Sequence, residues 1–115
     1  MKFYEYPNCS TCKKAKKWLI AEGHEFEAIH LVTDTPSRSE IESLWKVSGL
    51  DLKKFFNTSG GSYRELNLKD TYKTLSDDER LDLLANDGML IKRPILESGS
   101  NVLVGFKEAS YAELF

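Results

Sequence analysis

KFYEYPNCSTCKKAKKWLIAEGHEFEAIHLV, residues 2–32, is the stretch whose pattern decides the fold. Residues 2–6 are rich in aromatic side chains and stop at a Pro–Asn pair, which predicts a β-strand followed by a turn. Residues 11–22 carry apolar side chains at helical spacing with lysines on the other faces, and a glycine follows, as is common at a helix end. Residues 26–32 predict a second strand. Strand, helix and strand within ~30 residues make a βαβ unit.

The middle of the chain, about residues 35–90, predicts mainly helices. Apolar residues at helical spacing predict a helix over residues 35–48, and residues 52–56 are typical of a short helix. The polar, glycine-containing residues 57–62 predict a loop. A Ser-x-x-Glu capping box at residues 76–79 predicts the start of a further helix.

A β-hairpin and a last helix are predicted after this middle segment. Residues 95–97 and 102–104 are short apolar runs on either side of a Ser-Gly-Ser-Asn turn. Residues 108–115 predict a helix in which Ala109, Ala112 and Leu114 face inward at least in part.

The complete order is βαβ, a helical insert, then ββα, which is the thioredoxin-like plan. We therefore predict an α/β fold with a mixed four-stranded sheet, as a single domain over residues 1–115 with the helical insert at about residues 35–90. The length of 115 residues fits one domain, and a 41% share of hydrophobic residues is enough for one core.

Charge and composition exclude several classes of protein. With 16 basic and 18 acidic residues, the formal net charge of -2 predicts no direct nucleic-acid binding and no attraction to an anionic membrane. No apolar run approaches the ~20 residues of a membrane span, and residues 1–6 do not resemble a secretory signal. We expect a cytoplasmic protein. In that reducing compartment, two close cysteines are more typical of catalysis or metal binding than of a structural disulfide.

The two cysteines fall at the predicted junction of strand and helix. Cys9 would lie among unpaired backbone N–H groups at the positive end of the helix dipole, which favours the nucleophilic thiolate. Cys12 follows one helical turn later, close enough to resolve a mixed disulfide formed on Cys9.

Two other interpretations of the pair stay open at this point. Cys9, Cys12, His24 and His30 have a spacing close to that of a zinc finger, although a finger carries both histidines on the helix that follows its cysteines. Alternatively, the cysteines are a chance pair of buried residues.

Arg93 and Pro94 precede the third predicted strand. A cis proline at this place in a thioredoxin-like fold lies against the reactive cysteine, and Arg93 could then direct its guanidinium at the thiolate or at a bound oxyanion. The alternative is a surface arginine beside a proline that starts a strand.

Several stretches resemble the ArsC/Spx family, and in particular the short ArsC-like proteins of Gram-positive bacteria. The likeness covers essentially the full length, and it is carried by PNCSTCKKA (7–15), FFNTSG (55–60), YRELNLK (63–69), GMLIKRPI (88–95) and VGFKE (104–108). This resemblance implies a thioredoxin-type fold with a helical insert, a catalytic or sensing cysteine at Cys9, and a cis Pro94 with Arg93 beside the cysteine.

The chain departs from the glutaredoxin-coupled arsenate reductases of that family. Those enzymes hold the oxyanion with three arginines; Arg93 matches one, whereas residues 56–57 and 105–106 read Phe-Asn and Gly-Phe at the other two places. Arg64 and Lys107 are the candidate substitutes, although neither falls at a matching position. Those reductases also lack the second cysteine, so we do not expect arsenate reduction to be the main activity.

The sequence thus predicts an ArsC-like thiol-disulfide oxidoreductase. Cys9 is the expected nucleophile, Cys12 the resolving thiol, and Arg93 a group that stabilises the thiolate. Further substrate contacts are expected from Asn8, Ser10, Thr11, Arg64 and Pro94. No bound cofactor or metal is expected, and the reductant would be glutathione or thioredoxin.

The alternative function is a redox-sensing regulator similar to Spx. Such a protein would bind the RNA polymerase alpha subunit, and oxidation of the cysteine pair would switch its binding surface. Gly49 in the insert could match a glycine that the family uses for that contact.

Overall fold

A computed structural model describes residues Met1–Phe115 as four strands and six α-helices. The strands are β1 (Lys2–Glu5), β2 (Glu27–His30), β3 (Ile95–Ser98) and β4 (Asn101–Val104). The helices are α1 (Ser10–Ala21), α2 (Arg38–Ser48), α3 (Gly61–Glu65), α4 (Leu68–Thr71), α5 (Asp77–Asn86) and α6 (Glu108–Leu114). Short 3-10 helices occupy Leu52–Phe55, Tyr72–Thr74 and Gly88–Leu90. None of the helices is long and apolar enough to span a membrane.

The four strands form one mixed sheet in the order β2-β1-β3-β4. β1 and β2 are parallel and are joined through α1, whereas β3 is antiparallel to both β1 and β4. This topology confirms the predicted α/β, thioredoxin-like sheet. The helices α2 to α5 lie between β2 and β3 in the chain, where the helical insert was expected.

The side chains of β1 contribute to two separate apolar clusters, because successive side chains of a strand point to opposite faces of the sheet. Phe3 is paired in register with Leu96, and both belong to a small cluster with residues of α1 and α6. Tyr4 is paired with Ile95, and both belong to a larger cluster built mainly from the insert. The insert therefore has its own apolar contacts with one face of the sheet.

The capping boxes of the insert are formed as their sequence spacing requires. The predicted one at residues 76–79 opens α5: Ser76 Oγ accepts a hydrogen bond from Glu79 N, and a Glu79 carboxylate oxygen accepts one from Ser76 N. Ser37 and Glu40 form the same pair at the start of α2. Both helices begin after a serine because its hydroxyl oxygen satisfies a backbone N–H group that the helix leaves unpaired.

Several details differ from the sequence predictions. The helix predicted over residues 35–48 begins only at Arg38, after the cap residue Ser37. The second strand is shorter than residues 26–32, and the loop predicted over residues 57–62 gives way to α3 at Gly61. On the last helix Ala109 and Ala112 are exposed, so their predicted inward orientation is wrong, whereas Leu114 is half-buried against the smaller cluster as predicted. Tyr111 fills the buried position instead, with its ring edge-on to Trp18 and Phe106 at centroid distances of 5.7 and 4.8 Å.

An isolated antiparallel bridge between Phe56 and Ile91 ties the insert to the chain that leads into β3. Lys92 N donates to Phe55 O and Asn57 N donates to Leu90 O, both at 2.7 Å. These bonds hold the loop after Phe56 beside the segment that precedes β3, and this segment lies next to the start of α1.

Candidate redox site

Cys9 is the N-cap residue of α1, a position usually held by Ser, Thr, Asp or Asn. Its backbone is extended, and its amide donates to Tyr6 O at 2.9 Å, which closes the turn after β1. Its Sγ accepts a hydrogen bond from Cys12 N at 3.4 Å. The sulfur therefore occupies the place of a capping oxygen, among the backbone donors that begin the helix.

This position shifts the pKa of Cys9. Burial acts to raise the pKa, but hydrogen bonds from the backbone and side chain of Cys12 and from the Arg93 side chain outweigh it, and the resulting pKa lies below that of a free thiol. Cys9 is only partly buried and remains a free cysteine. The lowered pKa favours the nucleophilic thiolate, and the partial exposure leaves the sulfur open to a reaction partner from solvent.

Cys12 lies one turn into α1 and is fully buried. Burial raises the pKa of its thiol to about 12, and the adjacent Cys9 sulfur acts in the same direction. Cys12 is therefore a neutral thiol in the structure, while Cys9 favours the thiolate. An accessible nucleophile beside a protonated second thiol is the arrangement that a resolving pair requires.

Arg93 lies beside Cys9, and the Arg93–Pro94 peptide bond is cis, as the family resemblance implied. The guanidinium lies over the Tyr6 ring at 5.0 Å from its centroid, and Nη1 donates to Met89 O at 3.4 Å. Its Nε is buried and has no hydrogen-bond partner. Arg93 is thus half-buried at the site, and the alternative of a surface arginine does not describe it.

A cleft of about 280 Å³ opens over Cys9. Of the predicted residues, Cys9, Thr11 and Arg93 line it, whereas Asn8 and Ser10 are exposed beside the motif and Pro94 is buried. Four lining residues were not predicted as site residues: Asn57, Ser59, Gly60 and Lys92. All four lie in stretches 55–60 and 88–95, which resemble the family, and this resemblance is the sequence feature that could have identified them as site residues.

Arg64 does not line this cleft. It lies exposed on α3 and lines a separate depression of about 420 Å³ together with Lys53 and Lys69. Lys107 is exposed immediately before α6 and is also absent from the Cys9 cleft. Neither residue replaces the arginines that an arsenate reductase places around its cysteine, so the predicted contact from Arg64 to a substrate at Cys9 is not supported by the geometry.

The two histidines of the zinc-finger-like spacing have other contacts. The His24 ring stacks on the Phe115 ring with centroids 3.9 Å apart. His30 Nδ1 accepts hydrogen bonds from Val32 N at 3.1 Å and Thr33 N at 3.2 Å. No three His, Cys, Asp or Glu side chains come together as a metal site.

The family model named ArsC family matches residues 4–114, which include the cysteine pair and the Arg93–Pro94 segment. The chain belongs to the ArsC family. Its mixed sheet, its insert and the cysteine at the start of α1 are therefore features of an ArsC-family domain.

Several curated ArsC-family relatives match nearly the whole chain. The uncharacterized protein YusI of Bacillus subtilis is 58% identical over 111 residues, which cover 96% of this chain and 94% of YusI. The regulatory protein MgsR of the same organism is 31% identical over 97% of this chain and 87% of MgsR. The global transcriptional regulator Spx of Lactiplantibacillus plantarum is 28% identical over 91% of this chain and 78% of Spx.

Solved structures match the ArsC fold over its full extent. An ArsC-family-related protein from Bacteroides fragilis superposes with a TM-score of 0.95 at 45% identity, covering 99% of this chain and 96% of that one. An arsenate reductase from Vibrio cholerae superposes with a TM-score of 0.89 at 27% identity, covering 100% and 98%. The proteins that this chain is similar to thus include an arsenate reductase and two regulators.

Proposed function

We propose that this ArsC-family protein is a thiol-disulfide oxidoreductase that uses Cys9 and Cys12 as a redox pair. The Cys9 thiolate attacks one sulfur of a substrate disulfide; a Cys9–substrate disulfide forms, and the other substrate sulfur leaves with the bonding electrons and takes up a proton. Cys12 then loses its proton and attacks Cys9 Sγ. The Cys9–Cys12 disulfide forms, the second substrate thiol is released, and two electrons have passed from the pair to the substrate.

The observation that carries this proposal is the opposite behaviour of two adjacent thiols. Hydrogen bonds lower the pKa of the accessible Cys9, and burial raises that of the enclosed Cys12. A regulator needs only two cysteines that can be oxidised to a disulfide. Repeated thiol–disulfide exchange also needs one thiolate that attacks the substrate and a second thiol that stays protonated until the mixed disulfide has formed.

Glutathione or thioredoxin is the proposed electron donor, because two glutathione molecules or one thioredoxin dithiol can reduce a Cys9–Cys12 disulfide and are themselves oxidised to a disulfide. The test is a turnover assay in which a disulfide substrate is offered with each donor in turn. Sustained turnover that is lost in both Cys9→Ser and Cys12→Ser supports the proposal. Absence of turnover with either donor contradicts it.

A second candidate is a redox-sensing regulator, favoured by the likeness to MgsR and Spx. In this case the Cys9–Cys12 disulfide would switch a surface that binds the RNA polymerase alpha subunit. Gly49, which ends α2 in a left-handed conformation and is exposed, would belong to that surface. A pull-down with the C-terminal domain of the alpha subunit distinguishes this function, since only a regulator should retain that domain and respond to oxidation.

A further inference from the structure

Three depressions follow one another from Cys9 across the insert. The Cys9 cleft of about 280 Å³ shares Lys92 with a depression of about 490 Å³. That depression shares Lys53 and Thr58 with the one of about 420 Å³ that contains Arg64. The three adjoining depressions are named the path here; Cys9 lines only the first of them, so the reactive sulfur lies at one end of the path.

The path is strongly basic. Its cations, named here the basic band, are Lys53, Lys54, Arg64, Lys69, Lys92 and Arg93. Asp51 is the one carboxylate in its lining, although the chain as a whole has a net charge of -2. None of the six cations takes part in an ion pair, because the five ion pairs of the chain use Lys16, Arg38, Lys46 and Arg80.

The fold holds the middle of the basic band in place through backbone contacts. The Phe56–Ile91 bridge and the bond from Lys92 N to Phe55 O fix Lys92 beside the loop that carries Thr58. Phe56 and Ile91 are both buried. The cations therefore lie on a backbone that is already ordered. A charged partner does not lose binding free energy to ordering this backbone.

We propose that the basic band docks an acidic polypeptide segment that flanks the disulfide attacked by Cys9. This inference rests on the proposed oxidoreductase function and assigns its substrate class: a partner protein with several Asp or Glu residues near its reactive cysteine. Carboxylates on the band would hold the partner's disulfide over the Cys9 cleft and raise the rate of encounter.

The extent of the band favours a polypeptide over a small thiol. Glutathione has two carboxylates, which Lys92 and Arg93 in the Cys9 cleft could satisfy. The other four cations line the two adjoining depressions and would then face no partner charge. A nucleic-acid duplex would carry its charge beyond the band and face the acidic remainder of the surface, whereas a short acidic segment would meet only the band.

The test compares three synthetic peptides in which one cysteine is flanked by glutamates, by glutamines or by lysines. Each peptide carries nitrothiobenzoate as a mixed disulfide. Attack by Cys9 on the peptide sulfur forms the Cys9–peptide disulfide and releases nitrothiobenzoate with the electron pair, which absorbance records. Each rate is divided by the rate of the same peptide with dithiothreitol, which removes intrinsic differences between the peptides.

At low salt we expect the glutamate peptide to react about 10-fold faster than the glutamine peptide and the lysine peptide to react slowest, with the differences shrinking at high salt. In K53Q/K54Q/K69Q the advantage of the glutamate peptide should fall to ~3-fold or less. The matched control K2Q/K17Q/K107Q removes the same charge from exposed lysines outside the band and should keep the full advantage.

Equal normalised rates for the three peptides would overturn the docking proposal and leave the oxidoreductase proposal standing. Absence of release from every peptide would overturn both. A glutathione mixed disulfide that reacts as fast as the glutamate peptide, with the triple variant affecting neither, would assign the substrate to the small-thiol class. Loss of the glutamate advantage in the presence of a stoichiometric DNA duplex would assign the band to nucleic acid and also overturn the proposal.

Discussion

At the scale of single residues, Cys9 owes its reactivity to its place as a helix cap. A backbone N–H group and the Arg93 guanidinium both stabilise negative charge on its sulfur. We predict that Cys9 in Cys12→Ser reacts with iodoacetamide at pH values where a free cysteine, with a pKa of ~8.5, is mostly protonated. The measurement is the pH dependence of the alkylation rate. A profile that coincides with that of a free thiol would show that the cap does not activate the sulfur.

The contribution of Arg93 can be separated from that of the helix. Arg93→Ala removes a cation that favours the thiolate, so the pKa of Cys9 should rise and the alkylation profile should move to higher pH. The rate should fall more at pH 6 than at pH 9, where the thiolate forms in either protein. Arg38→Ala is the matched control, because that guanidinium is paired with Asp78 and Asp82 in the insert. Equal profiles for Arg93→Ala and the control would assign the activation to the helix alone.

At the scale of elements, the segment before Pro94 depends on a close approach of two backbones. Gly88 is buried, and a Cβ atom there would meet the Leu31 carbonyl group, with the carbonyl carbon 2.7 Å away. We predict that Gly88→Ala lowers the free energy of unfolding by about 1–3 kcal/mol, the usual cost of overpacking. Urea unfolding followed by tryptophan fluorescence measures this change.

Gly61→Ala serves as the control for that variant. Gly61 is exposed at the start of α3, and an added Cβ has no atom within 4 Å. Its substitution should leave stability unchanged or raise it by up to ~1 kcal/mol, because alanine has the higher helix propensity. If both alanine variants have the same stability, the close packing of Gly88 on Leu31 is not significant for the fold.

Local signals explain which elements the sequence could predict. The capping box predicts the start of α5, and the turn at Pro7 and Asn8 predicts the end of β1, because short-range contacts set both boundaries. α3 was missed, because a five-residue helix beginning with Gly-Ser has no apolar periodicity of its own. The buried face of α6 was misassigned for the opposite reason, since a distant aromatic cluster around Tyr111 decides it.

At the scale of the whole molecule, the candidate site combines two groups of residues. One group could be predicted from the sequence, and the other comes to the site only through tertiary structure. Cys9 and Cys12 are predicted from a local pattern, the strand–helix junction, whereas the Arg–Pro pair alone leaves the role of Arg93 open and the family resemblance places it beside the cysteine. Asn57 and Lys92 reach the cleft through the Phe56–Ile91 bridge, which joins segments far apart in sequence. Arg64 was expected at the site for its charge, yet the same fold places it at the far end of the basic band.

The same arrangement predicts weak arsenate reduction. Arg93 is the only arginine in the Cys9 cleft, and Lys92 is a point charge without the bidentate geometry that suits an oxyanion. We expect arsenate turnover, measured with glutathione and glutaredoxin supplied, to be far below that of a dedicated reductase assayed alongside. Comparable turnover in the two proteins would show that one guanidinium and the helix start are sufficient.

The most direct test of the redox pair is mass spectrometry of the protein after reaction with a mixed-disulfide substrate. The wild-type chain should end as a Cys9–Cys12 disulfide, two hydrogen atoms lighter than the reduced chain and without bound substrate. Cys12→Ser should instead hold one substrate moiety covalently on Cys9, because no thiol remains to release it. An adduct on Cys12, a dimer linked through Cys9 in place of the internal disulfide, or no adduct in Cys12→Ser would contradict the roles assigned to the two cysteines.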